Sequence, residues 1–330
     1  MLLTLGIPTY NRASALRRTL TGLAQQIKRA GLQDVEIVVS DNCSTDDTGV
    51  VCVDVAAQFP SVRLRYFCNE ENIGFDRNVD SLFHRATATY VWTFSDDDLA
   101  CETAVANVRQ HLTERAVSFA FVNYDVSIDG KVFESRYGSG PTRLINGRDL
   151  LKTIRFSNSL ISSSIFKRET WLESHPERHV GTLWIHFFVA REVLLQGMGL
   201  IIGEKMIRMV QSGLEKSRAE KRQEGSDQIE FYMQAHLKFV QYADELQGLG
   251  YDKETCVLAQ HLGQREDLHQ VVNYKLTVPD YAPRQLVKIW RRLHHYRAGT
   301  ARFWCLTTPL LFVPNGFVKF LRTVSRIGRL

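Results

Sequence analysis

WTFSDDDLA, residues 92–100, is an apolar run of β type that ends against three carboxylates in a row. Adjacent anions repel one another, and burying them unpaired costs several kcal/mol, so a buried triplet calls for a positive partner. Aspartate is also favoured in turns and at helix N-termini, and the tripeptide alone reads equally well as a solvated turn or cap. The pattern around it has to decide.

Upstream, apolar runs at 2–7 (LLTLGI), 35–39 (VEIVV), 62–67 (VRLRYF) and 89–94 (TYVWTF) alternate with stretches of helical period near 12–30, 46–58, 75–87 and 101–113. This alternation predicts an α/β fold with a mostly parallel sheet and helices on both faces. Such sheets bind ligands beyond the carboxyl ends of their strands. A polar cluster follows each strand there: PTYNR (8–12), SDNCSTDDT (40–48), NEENIGFDRN (69–78) and the aspartates themselves. Each alone is a cap or turn signal. Together they predict one edge of helix N-termini, amides and carboxylates, suited to a nucleoside diphosphate whose charge is shared by helix dipoles and a divalent cation. Mg²⁺ or Mn²⁺ takes oxygen ligands, usually one or two carboxylates plus substrate phosphates.

The ordered set IPTYNR, VSDNCSTDDT, NIGFDRN and YVWTFSDDD resembles the nucleotide-binding half of family 2 glycosyltransferases, which have the GT-A fold. Within the family, the pattern is similar to bacterial O-antigen and surface-polysaccharide transferases of the abequosyltransferase type. The resemblance covers about residues 1–115. It implies that Pro8, Thr9 and Asn11 line the base and ribose pocket, that Asp41 contacts base or ribose, and that Asn72, Asp76 and Asn78 lie near the diphosphate or donor sugar. It also implies nucleotide-side roles for Asp96 and Asp97 and a metal-ligand role for Asp98. The expected reaction moves a sugar from a nucleotide-sugar donor to a hydroxyl of a lipid-linked glycan. Two alternatives remain at this point: a sugar nucleotidyltransferase, whose glycine-rich N-terminal phosphate loop is missing here, and a non-catalytic nucleotide- or glycan-binding protein.

The second half is expected to supply acceptor contacts and a base. Asp129-Gly130 within FAFVNYDVSIDGKVFES signals a hairpin, 146–156 reads as a capped helix, 159–166 as β-rich, and 181–197 as an apolar helix. Many family 2 enzymes carry a Glu-Asp pair at the start of that helix, and this chain has Trp184-Ile185-His186. His186, with an ordinary pKa near 6.5, is the base candidate by position. Asp125 and Glu192 are the reserves, and a satisfied packing histidine is the competing reading. The predicted divisions are residues 1–115, 116–210 and a helical, basic C-terminal extension, 211–330.

Composition bounds the rest. A chain of 330 residues, 44% hydrophobic and 23% charged, is globular. Its six cysteines show neither zinc spacing nor a C-x-x-C pair, which reads as reduced thiols in the cytoplasm. The N-terminus passes directly from a short apolar strand to a turn, so a signal peptide is not expected. The net charge of +5 is uneven: residues 281–330 hold ten Lys or Arg and no Asp or Glu, leaving 31 basic against 36 acidic residues in the first 280. Basic residues interleaved with aromatics over 284–330 suit a helix lying on an anionic membrane surface, here the inner face of the cell membrane. The apolar run 303–313 is far short of the ~20 residues of a spanning helix. No nucleic-acid-binding module accompanies the charge, and no nucleic acid is expected.

Overall fold

The structure, a computed structural model, describes residues 1–128, 131–135, 137–211 and 241–262, together with 287, 290, 291, 294, 301 and 303–314. The chain divides into two compact units, Met1–Ser212 and Gly213–Leu330.

The first unit opens with the predicted alternation: β1 (Leu3–Thr9), α1 (Ala13–Ala30), β2 (Val35–Asp41), α2 (Thr48–Gln58), β3 (Arg63–Cys68), α3 (Phe75–Arg85), β4 (Tyr90–Thr93), a two-residue β5 (Leu99–Ala100) and α4 (Ala104–Glu114). It continues through β6 (Phe119–Ile128), β7 (Lys131–Glu134), β8 (Arg143–Asn146), α5 (Gly147–Thr153), β9 (Ser164–Lys167), α6 (Arg168–Glu173), α7 (Ile185–Val193) and β10 (Met198–Gln211). These form one sheet of ten strands in the order β3-β2-β1-β4-β9-β6-β10-β5, with β7 paired to β6 and β8 to β10. The first four strands are parallel, with Thr9 level with Asp41 and Asp41 with Cys68. Their carboxyl ends therefore share one edge. β9 enters antiparallel between β4 and β6, so the sheet is mixed on its second side.

Every residue of β1, β2 and β4 is buried, as expected of strands covered on both faces. Helices α1, α2 and α4 pack together on one face, and α3, α6 and α7 on the other. Gly6 permits the close approach of α3 to β1: a Cβ there would stand 3.2 Å from Val91 Cγ1 and 3.3 Å from Leu82 Cδ1. α6 is pinned to α3 by the Trp171 ring, stacked on Phe83 at 3.8 Å, and by its indole N–H, which donates to Asp80 at 2.8 Å.

The predicted hairpin is formed by β6 and β7, with Ile128 opposite Lys131; its turn, Asp129-Gly130, lies outside the described residues. The stretch 159–166, read as β-rich, begins instead as two short 3₁₀ turns, Ser157–Ser159 and Ile161–Ser163, before β9. Serine hydroxyls and neighbouring backbone compete for the same hydrogen bonds there, which favours turns over a ladder. The apolar helix expected over 181–197 is shorter, with a left-handed Gly181 and Leu183 just before its first turn.

In the second unit, the described residues 241–245 and 253–262 are helical, with Tyr242, Ala243, Leu246 and Ala259 buried, and a short helix spans Thr308–Phe312. Most of the basic stretch 284–330 and of the helical extension predicted from residue 211 lies outside the described residues. No helix among the described residues is long and apolar enough to cross a membrane. All six cysteines carry free thiols.

Candidate functional site

The acidic triplet stands immediately after β4, beside the end of β1, because those two strands are parallel neighbours. Its positive partner is Arg12, from the PTYNR turn. One guanidinium nitrogen donates to Asp97 Oδ2 at 2.6 Å and to Asp96 Oδ1 at 3.2 Å. Thr9 donates to Asp96 Oδ2 at 2.8 Å, and Ser95 to Asp97 Oδ1 at 2.6 Å. The Thr19 hydroxyl, on the first turns of α1, reaches the backbone oxygens of Asp96 and Asp98, both at 3.0 Å. Asp98 is buried and its Oδ2 accepts from the Ser162 hydroxyl at 2.6 Å. Burial pushes the Asp96 carboxyl up to about 6, against the opposing pull of Arg12 and Thr9. The bland reading, a solvated turn, does not describe this cluster: Asp96 and Asp98 are sealed, and each has a specific partner.

The loops after β1 and β2 are stitched together. Asn11, left-handed at φ 51°, accepts from the Thr45 amide at 2.8 Å through its side chain, while its own amide donates to Ser44 Oγ at 2.8 Å. Asp46 accepts from the Ala13 amide at 3.0 Å, so the N-terminus of α1 is capped from the neighbouring loop. Asp41 is buried at the end of β2. Its Oδ1 takes the Ser44 amide at 3.0 Å and the Ser44 hydroxyl, and its Oδ2 takes the Tyr66 hydroxyl at 2.7 Å. Burial and that bond to a carboxylate raise the Tyr66 phenol well above its ordinary range.

The third cluster is an amide network. Asn72 accepts from Asn42 at 2.6 Å and from the Gly74 amide at 3.0 Å. Asn78, buried on α3, accepts from Ser40 at 2.6 Å and Asn69 at 3.0 Å and donates to the Ser40 carbonyl at 2.9 Å. Arg85 braces the same network through Ser40 and Asn69. Asp76 faces the other way. Its carboxylate accepts the backbone N–H groups of Gly181 and Leu183, each at 2.8 Å, and Ile185 at 3.2 Å. It thus caps α7 from a different part of the chain, and burial pushes it above the usual carboxylate range despite those amides.

The structure therefore gathers Pro8, Thr9, Asn11, Asp41, Asn72, Asp96, Asp97 and Asp98 on the strand ends. It places Asn78 within the supporting network and Asp76 beneath α7. His186 stands apart from the acidic cluster's hydrogen bonds. It is sealed in the first turn of α7, its Nε2 donating to the Ser159 carbonyl at 3.2 Å while Nδ1 has no hydrogen-bond partner. Desolvation lowers its pKa to about 4. Sealed there, the imidazole is neutral, and a role as base requires that the acceptor hydroxyl reach it. The reserves are also engaged: Asp125 pairs with Lys205 at 2.8 Å, and Glu192 with Arg178 and His179, each at 2.9 Å.

Arg12, Asp46, Tyr66 and Ser162 were given no role by sequence reasoning. Arg12 was legible in principle, because β1 and β4 are expected neighbours and the triplet demands a cation. Ser162 was not, being 64 residues beyond Asp98 with no pattern to connect them.

The donor set of the triplet is oxygen alone, without thiolate or imidazole. Among the described residues no three His, Cys, Asp or Glu side chains are grouped to hold a metal. Such a site fits Mg²⁺ or Mn²⁺, which needs one or two protein carboxylates and completes its shell with phosphate and water. It does not fit a metal that depends on a full protein cage.

Residues 4–169 match the model of "Glycosyl transferase family 2". The abequosyltransferase RfbV of Salmonella typhimurium is 28% identical over 206 residues, covering 58% of this chain and 61% of that protein. The GalNAc(5)-diNAcBac-PP-undecaprenol β-1,3-glucosyltransferase of Campylobacter jejuni is 26% identical over 188 residues, 55% of this chain and 58% of that one. The matches thus span about six tenths of the length of these two relatives. Among solved structures, the mannosyltransferase PcManGT from Pyrobaculum calidifontis, in complex with GDP-Man and Mn²⁺, superposes with a TM-score of 0.55 at 18% identity, over 97% of this chain and 86% of that one. The mixed sheet with its polar carboxyl edge is accordingly a GT-A-like fold, and the chain belongs to glycosyltransferase family 2.

Proposed function

We propose that this protein transfers one sugar from a nucleotide-sugar donor to a hydroxyl of a lipid-linked glycan during assembly of a bacterial surface polysaccharide such as O-antigen, using Mg²⁺ or Mn²⁺. The observation that carries this reading is the gathering of four polar clusters on one sheet edge, with the acidic triplet beside a helix N-terminus and Arg12. The named activity of the Campylobacter relative, on an undecaprenol-linked glycan, supports the class of acceptor. In this reading Pro8, Thr9, Asn11 and Asp41 bound the nucleoside pocket, and Asn72, braced through Asn42 and Asn69 by Asn78, shapes the diphosphate side, while Asp76 holds the start of α7. Asp96 and Asp97 hold the nucleotide side of the triplet, and Asp98, from the donor chemistry described above, would hold the cation. A bound cation supplies electrostatic stabilisation of the charge that grows on the leaving diphosphate. The protein's own part is to orient the donor in line with the acceptor hydroxyl and to keep water out.

The basic stretch 284–330 supports a place at the cytoplasmic face of the membrane, where a lipid-linked acceptor and anionic headgroups coincide. The test is a thermal-shift screen of UDP-, GDP- and CDP-sugars with and without Mn²⁺, followed by transfer assays on a lipid-linked acceptor with the stabilising donor. Asp98→Asn is expected to stay folded and to lose about 10²-fold or more in turnover, and excess EDTA to abolish transfer. Parental turnover in the folded variant overturns the role of Asp98, and full activity in EDTA overturns the metal.

A further inference from the structure

Ser162 sits at a junction of hydrogen bonds whose directions are forced. Its hydroxyl oxygen accepts from the Ser95 amide at 2.8 Å, and a backbone N–H can only donate. The single hydroxyl proton is thereby committed to its other neighbour, Asp98 Oδ2, at 2.6 Å. A hydroxyl that donates to a carboxylate oxygen at this distance fixes the rotation of the carboxylate plane. Solvent is nearly excluded from the bond between Ser162 and Asp98, with Ser162 fully buried and Asp98 2% exposed, while Ser95, which supplies its amide, is partly exposed.

The backbone around Ser162 is equally constrained. The Trp92 indole donates to the Ser162 carbonyl at 2.6 Å, and the Thr93 hydroxyl lies 2.9 Å from the Ile161 carbonyl and 3.0 Å from that of Ser164. Trp92 and Thr93 are the last residues of β4, the strand that delivers the triplet. The strand end and the 3₁₀ turn Ile161–Ser163 are thus a single braced unit, and the serine is its contact with Asp98. Asp96 and Asp97 are held differently, by Arg12, Thr9 and Ser95 from the nucleotide side.

Resting on the reading of Asp98 as the metal carboxylate, we propose that Ser162 is its positioning residue, holding the side chain oriented for a divalent cation. Partners behind a ligating carboxylate commonly change metal affinity by about 10–100-fold when removed. The bond runs from the second half of the unit to the acidic cluster, so the metal-binding geometry is set by a residue outside the nucleotide motifs.

The test measures Mn²⁺ binding by electron paramagnetic resonance, without sugar donor or turnover, in the presence of UDP, GDP or CDP taken in turn. Parent, Ser162→Ala, Ser162→Cys and Asp98→Asn are compared. Ser162→Ala is expected to weaken Mn²⁺ binding about 10–100-fold. Ser162→Cys, which keeps the shape of the side chain with a somewhat larger atom and donates weakly, is expected to lie between alanine and parent, and it provides the measurement if the alanine variant does not fold. Metal-free binding of uridine, guanosine and cytidine should not change, a split that a general loss of packing would not produce. If Asp98→Asn abolishes Mn²⁺ binding while both serine variants bind it like the parent, the positioning role is overturned and the metal reading stands. If Asp98→Asn itself binds Mn²⁺ like the parent, both are overturned.

Discussion

Replacing His186 with glutamine separates its two possible roles, because each predicts a different quantity to move. In the folded chain the imidazole is held neutral down to about 4, against 6.5 for an ordinary histidine. The folded-state pKa is the lower one, so the unfolded chain takes up the proton first as pH falls. Stability from this group is fully present above pH 6.5 and is lost as pH falls towards 4. The gap between 6.5 and about 4 corresponds to about 3 kcal/mol in total, of which about 2 kcal/mol is already lost at pH 5. Glutamine offers an N–H to the Ser159 carbonyl and does not titrate. Urea unfolding at pH 8 and pH 5, followed by tryptophan fluorescence, should show the parent losing about 2 kcal/mol more than His186→Gln over that interval. Transfer per folded molecule at neutral pH should stay near the parental rate. Parallel unfolding profiles, or a loss of ~10²–10⁴-fold in transfer without a change in stability, would refute the packing role and restore the histidine as a base.

Asp76→Ala removes the acceptor of three backbone N–H groups ahead of α7 and should destabilise the first unit by about 3 kcal/mol, less than three full unsatisfied donors because a buried carboxylate is removed with them. Calorimetry checks this; a stable variant that has lost nucleotide affinity would instead make Asp76 a donor contact. For the basic stretch, the intact chain should sediment with anionic vesicles at low salt and release as salt rises. A chain ending at residue 283 should not sediment, and should glycosylate a lipid-linked acceptor poorly while losing less with a soluble acceptor fragment. Indifference of the intact chain to anionic vesicles refutes the anchor.

The nucleotide half was legible because its information is local. Each strand is a short run with turn residues behind it, and parallel order brings those turns to one edge without further knowledge. Asp96 and Asp98 follow directly from that logic, and Arg12 completes it. What sequence could not supply was partnership across distance. Nothing near Asp76 announces that its carboxylate will cap a helix more than 100 residues later, and nothing near Ser157 or Ile161 distinguishes a serine-rich strand from turns held by β4 side chains. His186 shows the same limit: its position suggested a base, while its chemistry is decided by what covers it.

The place of β9 in the sheet has a consequence for synthesis on the ribosome. β4, buried along its whole length, has β1 on one side, and its other edge is filled by a strand that begins at Ser164, about seventy residues later. Until that strand emerges, the nascent chain carries an open apolar edge of Tyr90, Val91, Trp92 and Thr93, the kind of surface that pairs with any available strand. The Trp92 indole and the Thr93 hydroxyl wait for the same segment, since their acceptors are carbonyls of residues 161, 162 and 164. The nucleotide motifs are therefore translated first but sealed last, and a ribosome paused shortly before residue 164 would display a half-sheet open to chaperones and to misassociation.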